Sequence, residues 1–435
     1  MIPSVASLLL VLWSLVPLTY ASGVDGASIP AWAGGWAGPG DPGARGVLYN
    51  PTASGSGEAP EILLDVGLLG LQVAYWPDVT QDPTLVRVPA PHPTLTAAFP
   101  IGDRFGLSTY FHAPYVRSDF TTGLLFIESA LQGSWRVKDW FVLGGGARIG
   151  MSRVGATIPL DTGVLVNSSG VLDEELFLPE GDPFLQGDQL VGQKNTFTAS
   201  PVFAASWRIP QGTWFHAVFR PPWIIRARTA LRLRPSNDLA ALLDGNVRVR
   251  VPLPLRATLA ATIPVGRLTL LPEVEYVGWR QTSQVGIELS DLRIVSSDPV
   301  FNQLLSSVGL AEAEFLALAE GPQRFDLGWR NVVHPAVQAQ YAVNEDVDLR
   351  AGLLFTMPAV GRASFSEFNL DFATLSIRAG AAWDASRRVR LSLSAEYFAS
   401  PSRQRRDDAG SLIEFYDLDM WRAGLTTQIF LQRRD

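Results

Sequence analysis

The stretch NVRVRVPLPLRATLAAT, residues 246–262, decides the fold. Its odd positions hold Val247, Val249, Val251, Leu253, Leu255, Ala257, Leu259 and Ala261, and its even positions hold Arg248, Arg250, Arg256, Thr258 and Thr262. A period of two is a β-strand with one apolar and one polar face. The next stretch repeats it: Leu268, Leu270, Pro272, Val274 and Tyr276 alternate with Arg267, Thr269, Glu273, Glu275 and, after a break, Trp279. Only Gly266 and its neighbours separate the two, which predicts a hairpin. Both strands exceed the usual globular length, and the pattern recurs along nearly the whole chain. The expected fold is all-β, a transmembrane antiparallel barrel whose apolar row meets lipid and whose polar row lines the lumen.

Outward from this hairpin the alternation predicts fourteen strands, at 61–76, 92–101, 104–113, 124–137, 140–158, 196–208, 213–233, 247–263, 266–280, 323–342, 346–357, 371–384, 387–399 and 413–432. An even number lets a single-chain antiparallel barrel close. Tight turns at Pro100–Arg104, Val137–Trp140, Ile209–Thr213, Pro264–Gly266, Val343–Asp346 and Asp384–Arg387 alternate with longer loops. Short turns on one rim and long loops on the other are the habit of such barrels. The loops 159–195 and 281–322 are unusually apolar, with Leu176, Phe177, Phe184, Leu304, Leu305 and Phe315. They suit either capture of a hydrophobic substrate or packing on one another as a lid.

A lipid-facing arginine at the bilayer centre costs about 2–4 kcal/mol. The arginines Arg136, Arg220, Arg226, Arg228, Arg248, Arg250, Arg256, Arg330, Arg350, Arg378 and Arg390 all fall in the polar row, as do Glu128, Glu273, Glu275, Asp326 and Glu396. They are therefore expected in the lumen, or at the membrane interface where they fall near strand ends. The chain is 47% hydrophobic and 18% charged with a net charge of -7, which gives no reason to expect nucleic acid. Cysteine is absent, so disulfides and a cysteine nucleophile are excluded. His92, His112, His216 and His334 are the only histidines, and no Gly-x-Ser-x-Gly elbow is present. Gly144-Gly145-Gly146 lies inside a strand and lacks the Gly-Lys-Ser/Thr of a phosphate loop. Neither an enzyme, a cofactor nor a metal site is expected.

Apolar residues 2–18 followed by Thr19 and Ala21 suit a signal peptide over residues 1–21. Residues 22–60 are rich in Gly, Ala and Pro and show no alternation, yet they carry Trp32, Trp36, Val47, Leu48 and Tyr49. A solvated linker would tend to lack these residues, so a compact element tucked against the barrel is expected, with the barrel itself spanning 61–435.

Within that element, Gly43–Thr52 (Gly-Ala-Arg-Gly-Val-Leu-Tyr-Asn-Pro-Thr) resembles the end of the N-terminal hatch of the FadL-type outer-membrane transporters. Asn50-Pro51 match the family's Asn-Pro-Ala, and Thr52 replaces its alanine. Pro100–Pro114, Glu273–Trp279 and Asp348–Pro358 are similar to family stretches too. Departures are Asp41-Pro42-Gly43 in the hatch and a C-terminus, Gln432-Arg433-Arg434-Asp435, without the usual terminal aromatic.

The resemblance implies a monomeric channel importing long-chain fatty acids or similar hydrophobic compounds. Its expected partners are the substrate, outer-membrane lipid and the barrel assembly machinery. A hatch containing Tyr49, Asn50 and Pro51 would close the lumen, and ligand would leave sideways near the third strand, with Gly106 marking the gap. Ligand contacts are expected from Arg220, Arg248, Arg330, Tyr110 and His112. A fatty acyl tail is worth about 0.8 kcal/mol per CH₂ and one Arg–carboxylate contact about 1.5–3 kcal/mol, so the tail would set affinity and an arginine orientation. A general diffusion porin and a structural or adhesive barrel are the alternatives.

Overall fold

The computed structural model describes residues 38–57, 59–76, 84–118, 122–161, 186–191, 196–235, 243–294, 321–326, 328–360, 373–406 and 412–432. The expected signal peptide and the apolar stretches of both long loops lie outside them. The described strands are β1 (Glu61–Trp76), β2 (Thr84–Ile101), β3 (Phe105–Ser118), β4 (Thr122–Lys138), β5 (Phe141–Asp161), β6 (Gln186–Val191) and β7 (Thr196–Arg208). Then follow β8 (Trp214–Arg220), β9 (Trp223–Pro235), β10 (Leu243–Leu253), β11 (Leu255–Val265), β12 (Leu268–Gly278), β13 (Gln284–Ile294) and β14 (Gly321–Asp326). The last are β15 (Val332–Ala342), β16 (Val347–Thr356), β17 (Thr374–Ser386), β18 (Val389–Ala399), β19 (Arg403–Arg406) and β20 (Leu412–Phe430).

Six staves are each built from two of these strands in succession (β6 with β7, β8 with β9, β10 with β11, β12 with β13, β14 with β15, β18 with β19), which makes fourteen staves. All pairings are antiparallel, and β20 joins β1 from Glu61↔Phe430 to Trp76↔Phe415, closing the barrel. The fourteen expected strands are therefore present. They reach further toward the long-loop rim than alternation alone indicated. β13, for instance, occupies residues assigned to a loop, because the 3₁₀ turn Trp279–Thr282 interrupts the period ahead of it.

One side of each stave is exposed and apolar. In β1 Leu64, Val66 and Leu68 point out, while Leu63 and Asp65 are fully buried. A continuous apolar surface of this extent is what a bilayer covers. Exposed Phe105, Trp135, Trp140, Tyr341 and Trp383 ring the short-turn end, and Trp207 stacks on Phe215 there. Phe197 lies ten positions along β7 from Trp207 and is 68% exposed. Ten residues span about 33 Å along a strand, or about 25 Å across a bilayer at a tilt near 40°. That equals the height of a membrane-facing apolar band.

The polar row does not stay inside. On β8, His216 and Arg220 point into the lumen and Phe219 points out. Pro221 and Pro222 then interrupt the ladder. Beyond them Trp223 faces the lumen, with the Arg148 guanidinium 5.0 Å from its ring centre, and Ile224 is 45% exposed. Arg220 and Trp223, three positions apart, thus both face the lumen, so the alternation breaks at the prolines and the faces exchange beyond them. Pro254 does the same on the neighbouring stave. Below it Arg256 is inside, bonded to Glu275, and Leu259 is 61% exposed. Above it Leu253 stands opposite Trp223 on the lumen side, so Arg248 and Arg250 lie outside.

Arg226 and Arg228 are exposed and stand opposite Arg250 and Arg248. These four arginines correct the expectation that the polar row of residues 246–262 lines the lumen throughout. Proline has no N–H for the ladder, and it marks where the alternation breaks.

Candidate functional site

Residues 38–57 lie inside the barrel and most of them are buried. They form a helical turn, α1 (Gly43–Gly46), and a 3₁₀ turn, Pro51–Gly55. Asn50 caps the second turn: its Oδ1 accepts from Thr52 N at 3.0 Å and Thr52 Oγ1 at 2.8 Å, and Pro51 occupies the first position, where its missing N–H costs nothing. The Asn50 amide donates to Pro39 O at 2.8 Å, folding the segment back on itself.

Polar side chains from seven staves hold this segment. Glu61 of β1 accepts from Ala44 N at 2.7 Å, and Thr96 of β2 donates to Ala44 O at 2.6 Å. On β4, Ser134 meets Ser54 at 2.9 Å and Arg136 donates to Gly55 O at 2.8 Å. Ser206 of β7 bonds Thr52 Oγ1 at 2.6 Å, and His216 of β8 lies 3.4 Å from the Asn50 amide. Arg220, also on β8, donates to Leu48 O at 2.6 Å and Tyr49 O at 3.2 Å. Thr262 of β11 donates to Gly40 O at 3.2 Å. Arg350 of β16 pairs with Asp41 at 2.9 Å.

Burial raises the Asp41 carboxyl, but Arg350, Arg45 and the Gly38 amide outweigh it and hold the group below the usual carboxylate range. Burial pushes the Tyr49 hydroxyl well up, so it stays neutral. Tyr49 is buried together with Val47 and Leu48 against Leu63, Ala98 and Tyr110 of the wall.

Two glycines allow the 3₁₀ turn to seat. A Cβ on Gly106 of β3 would lie 2.5 Å from Gly55 N and Ser54 C, and one on Gly144 of β5 would lie 2.7 Å from Thr52 N. The ladder is unbroken at Gly106, which pairs with Pro100 and Ser134. The expected break in β3 at this residue is not there. The irregularity falls instead between His112 and Tyr115.

On the wall toward the long-loop side, charges alternate across the closing seam. Arg378 meets Glu396 at 2.9 Å, Glu396 stands opposite Arg422, and Arg422 meets Asp65 at 3.1 Å. Elsewhere Tyr110 donates to Glu128, Arg148 lies 3.8 Å from Glu128, and Thr94 bonds His112 at 3.0 Å. A Trp279–Trp329 pair, centroids 4.7 Å apart, is buried where the 3₁₀ turn Trp279–Thr282 meets the segment ahead of β15.

Of the residues singled out by sequence, Tyr49, Asn50, Pro51, Gly106 and Arg220 come together at the luminal segment. Tyr110 and His112 line the wall beside it. Arg248 does not join them: it lies outside, bonded to Glu288 at 2.8 Å. Arg330 is exposed and donates to Pro358 O at 3.2 Å. Sequence reasoning missed Asp41, Arg350, Thr96, Ser134 and Ser206 as anchors. The glycine run inside β5 was the available signal, since a glycine within a strand marks close approach of another backbone.

These features define a transmembrane β-barrel whose lumen is occupied by its own N-terminal segment. No family model matches the sequence, and no curated protein matches it. Among solved structures, a FadL homologue of Pseudomonas aeruginosa superposes with a TM-score of 0.72 at 14% identity, covering 93% of this chain and 98% of that one. The toluene transporters TbuX of Ralstonia pickettii (TM-score 0.59, 14% identity, 93% and 98% covered) and TodX of Pseudomonas putida (0.63, 11%, 90% and 95%) are also similar. The chain has the FadL-type fold.

Proposed function

We propose that the protein is an outer-membrane channel admitting hydrophobic compounds, closed at rest by residues 38–57 acting as a hatch. The observation that carries this reading is the segment bonded across the lumen to seven staves, which argues against an open diffusion pore. Its neutral contacts are worth about 0.5–1.5 kcal/mol each and those from Glu61, Arg136, Arg220 and Arg350 about 1.5–3 kcal/mol, all made by side chains rather than by the strand ladder, so the element can be displaced without breaking the wall. The fold shared with two toluene transporters supports a hydrophobic cargo.

The state of the arginines bears on which cargo. On the inner wall, Arg148, Arg256, Arg350, Arg378, Arg390 and Arg422 each have a carboxylate partner, and Arg220 is engaged by hatch carbonyls. This favours a neutral hydrocarbon over a fatty acid, whose carboxylate would need to displace an existing pair. Exit sideways into the membrane near the irregularity of β3, between His112 and Tyr115, is the corresponding route.

The test is uptake of labelled toluene and labelled oleate by cells lacking their own importer, with surface expression confirmed. Saturable toluene uptake that changes on deleting residues 24–56 supports the reading. Saturable oleate uptake would restore the fatty-acid assignment. Entry of small polar solutes into intact cells would indicate a porin and overturn it.

A further inference from the structure

We propose that Arg226, Arg228, Arg248 and Arg250 form an outward-facing site for the phosphate groups of a glycolipid in the outer leaflet; this rests on the outer-membrane reading above. The site exists because Pro221-Pro222 and Pro254 exchange the faces of two adjacent staves. The same alternation that keeps arginine inside at Arg256 delivers it outside above the break.

The charge there is unbalanced. Arg226 stands directly opposite Arg250, and Arg228 opposite Arg248. Like charges directly opposed across a strand pair destabilise it. Glu288, opposite Arg248 on the other side, bonds that arginine alone. Arg226, Arg228 and Arg250 have no ion-pair partner among the described residues, and they are exposed. Further along, the register changes character: Arg232 stands opposite Asp244, and Arg234 opposite Asp188. Arg226, Arg228 and Arg250 lie at one level of the barrel, within two positions of one another along the ladder.

That level is an interfacial one. Phe215, opposite Trp207 at the short-turn end, lies eleven positions before Arg226, and its partner Ala261 lies eleven positions from Arg250. The apolar band measured on β7 spans ten positions, so the arginines begin where it ends. Guanidinium groups at the edge of an apolar band suit phosphate, which accepts their paired N–H donors bidentately. A bound phosphate bridging two opposed arginines would also remove the repulsion between them.

The experiment uses the full chain in detergent with a chelator, so that divalent cations cannot bridge anions. Binding of bisphosphorylated lipid A and of the same lipid without its phosphates is measured by native mass spectrometry. Wild type is expected to prefer the phosphorylated lipid by about tenfold or more, and the triple variant R226Q/R228Q/R250Q to lose that preference. Equal binding of both lipids by wild type overturns the proposal, and that comparison stands even if the variant fails to assemble. A preference surviving in a folded triple variant overturns it as well. Competition by inorganic phosphate at matching concentration would show a simple anion site and refute the lipid assignment. Toluene uptake by wild type is a separate readout, so failure here is distinguishable from failure of the channel reading.

Discussion

Gly106→Ala tests the seating of the hatch most directly. The new Cβ would lie 2.5 Å from Gly55 N and Ser54 C and 2.6 Å from Ser134 Oγ, about 0.9 Å short of the 3.4 Å at which ordinary contact begins. Two of those atoms are backbone and cannot rotate away. One of the two elements must move, and β3 is held by ladders on both sides, whereas the 3₁₀ turn is held here by Ser134 and Arg136. The turn yields. Overpacking of this kind costs about 1–3 kcal/mol, which raises the population of the displaced hatch about 5–150-fold. Conductance across a planar bilayer is expected to rise by a factor in that range. Gly133→Ala is the control, since the nearest neighbour of its Cβ would be Gly106 O at 3.7 Å. Gly144→Ala presses on the same turn from β5, at 2.7 Å from Thr52 N, so the double variant should add little to either single one. Unchanged conductance in both single variants, with a folded barrel shown by heat-modifiable gel mobility, would refute the idea that this turn closes the lumen.

Arg220→Ala removes the donor to Leu48 O and Tyr49 O; at about 1.5–3 kcal/mol for a hydrogen bond from a charged group, protease cleavage within residues 38–57 should accelerate at least about tenfold, and an unchanged rate would count against this anchor. Because the chain has no cysteine, single-cysteine labels can read the exchanged faces: labels at Arg228 and Leu259 should both be reached from outside the barrel and one at Arg256 should not, while a buried label at 228 would contradict the face assignment. Asp41 has a depressed folded-state pKa, so its contribution to hatch anchoring is complete above the ordinary carboxylate value and is lost as pH falls through the lower folded value. Conductance should therefore have an Asp41-dependent rise only below about pH 4, and Asp41→Asn should remove that rise by keeping the site uncharged at every pH.

Sequence alone determined the barrel. Alternation is a local property, since successive side chains of any extended strand point opposite ways, and the short-turn, long-loop rhythm fixes how many such strands must close. Asn50-Pro51 was legible for the same reason: a capping side chain and a helix-starting proline act within a few residues of one another. The tertiary structure decided which way each row faces. Residues 246–262 read as one uninterrupted alternation, and nothing local shows that the faces exchange at Pro254; that depends on Leu253 and Arg256, three positions apart, both facing the lumen opposite Trp223 and Arg220. It also decided what each arginine does. Arg220, Arg248 and Arg350 are the same residue in similar settings, yet one holds hatch carbonyls, one faces outward beside Glu288, and one binds Asp41, 309 positions away. A partner at that distance along the chain is set by closure of the barrel around its own N-terminal segment, which no window of sequence contains.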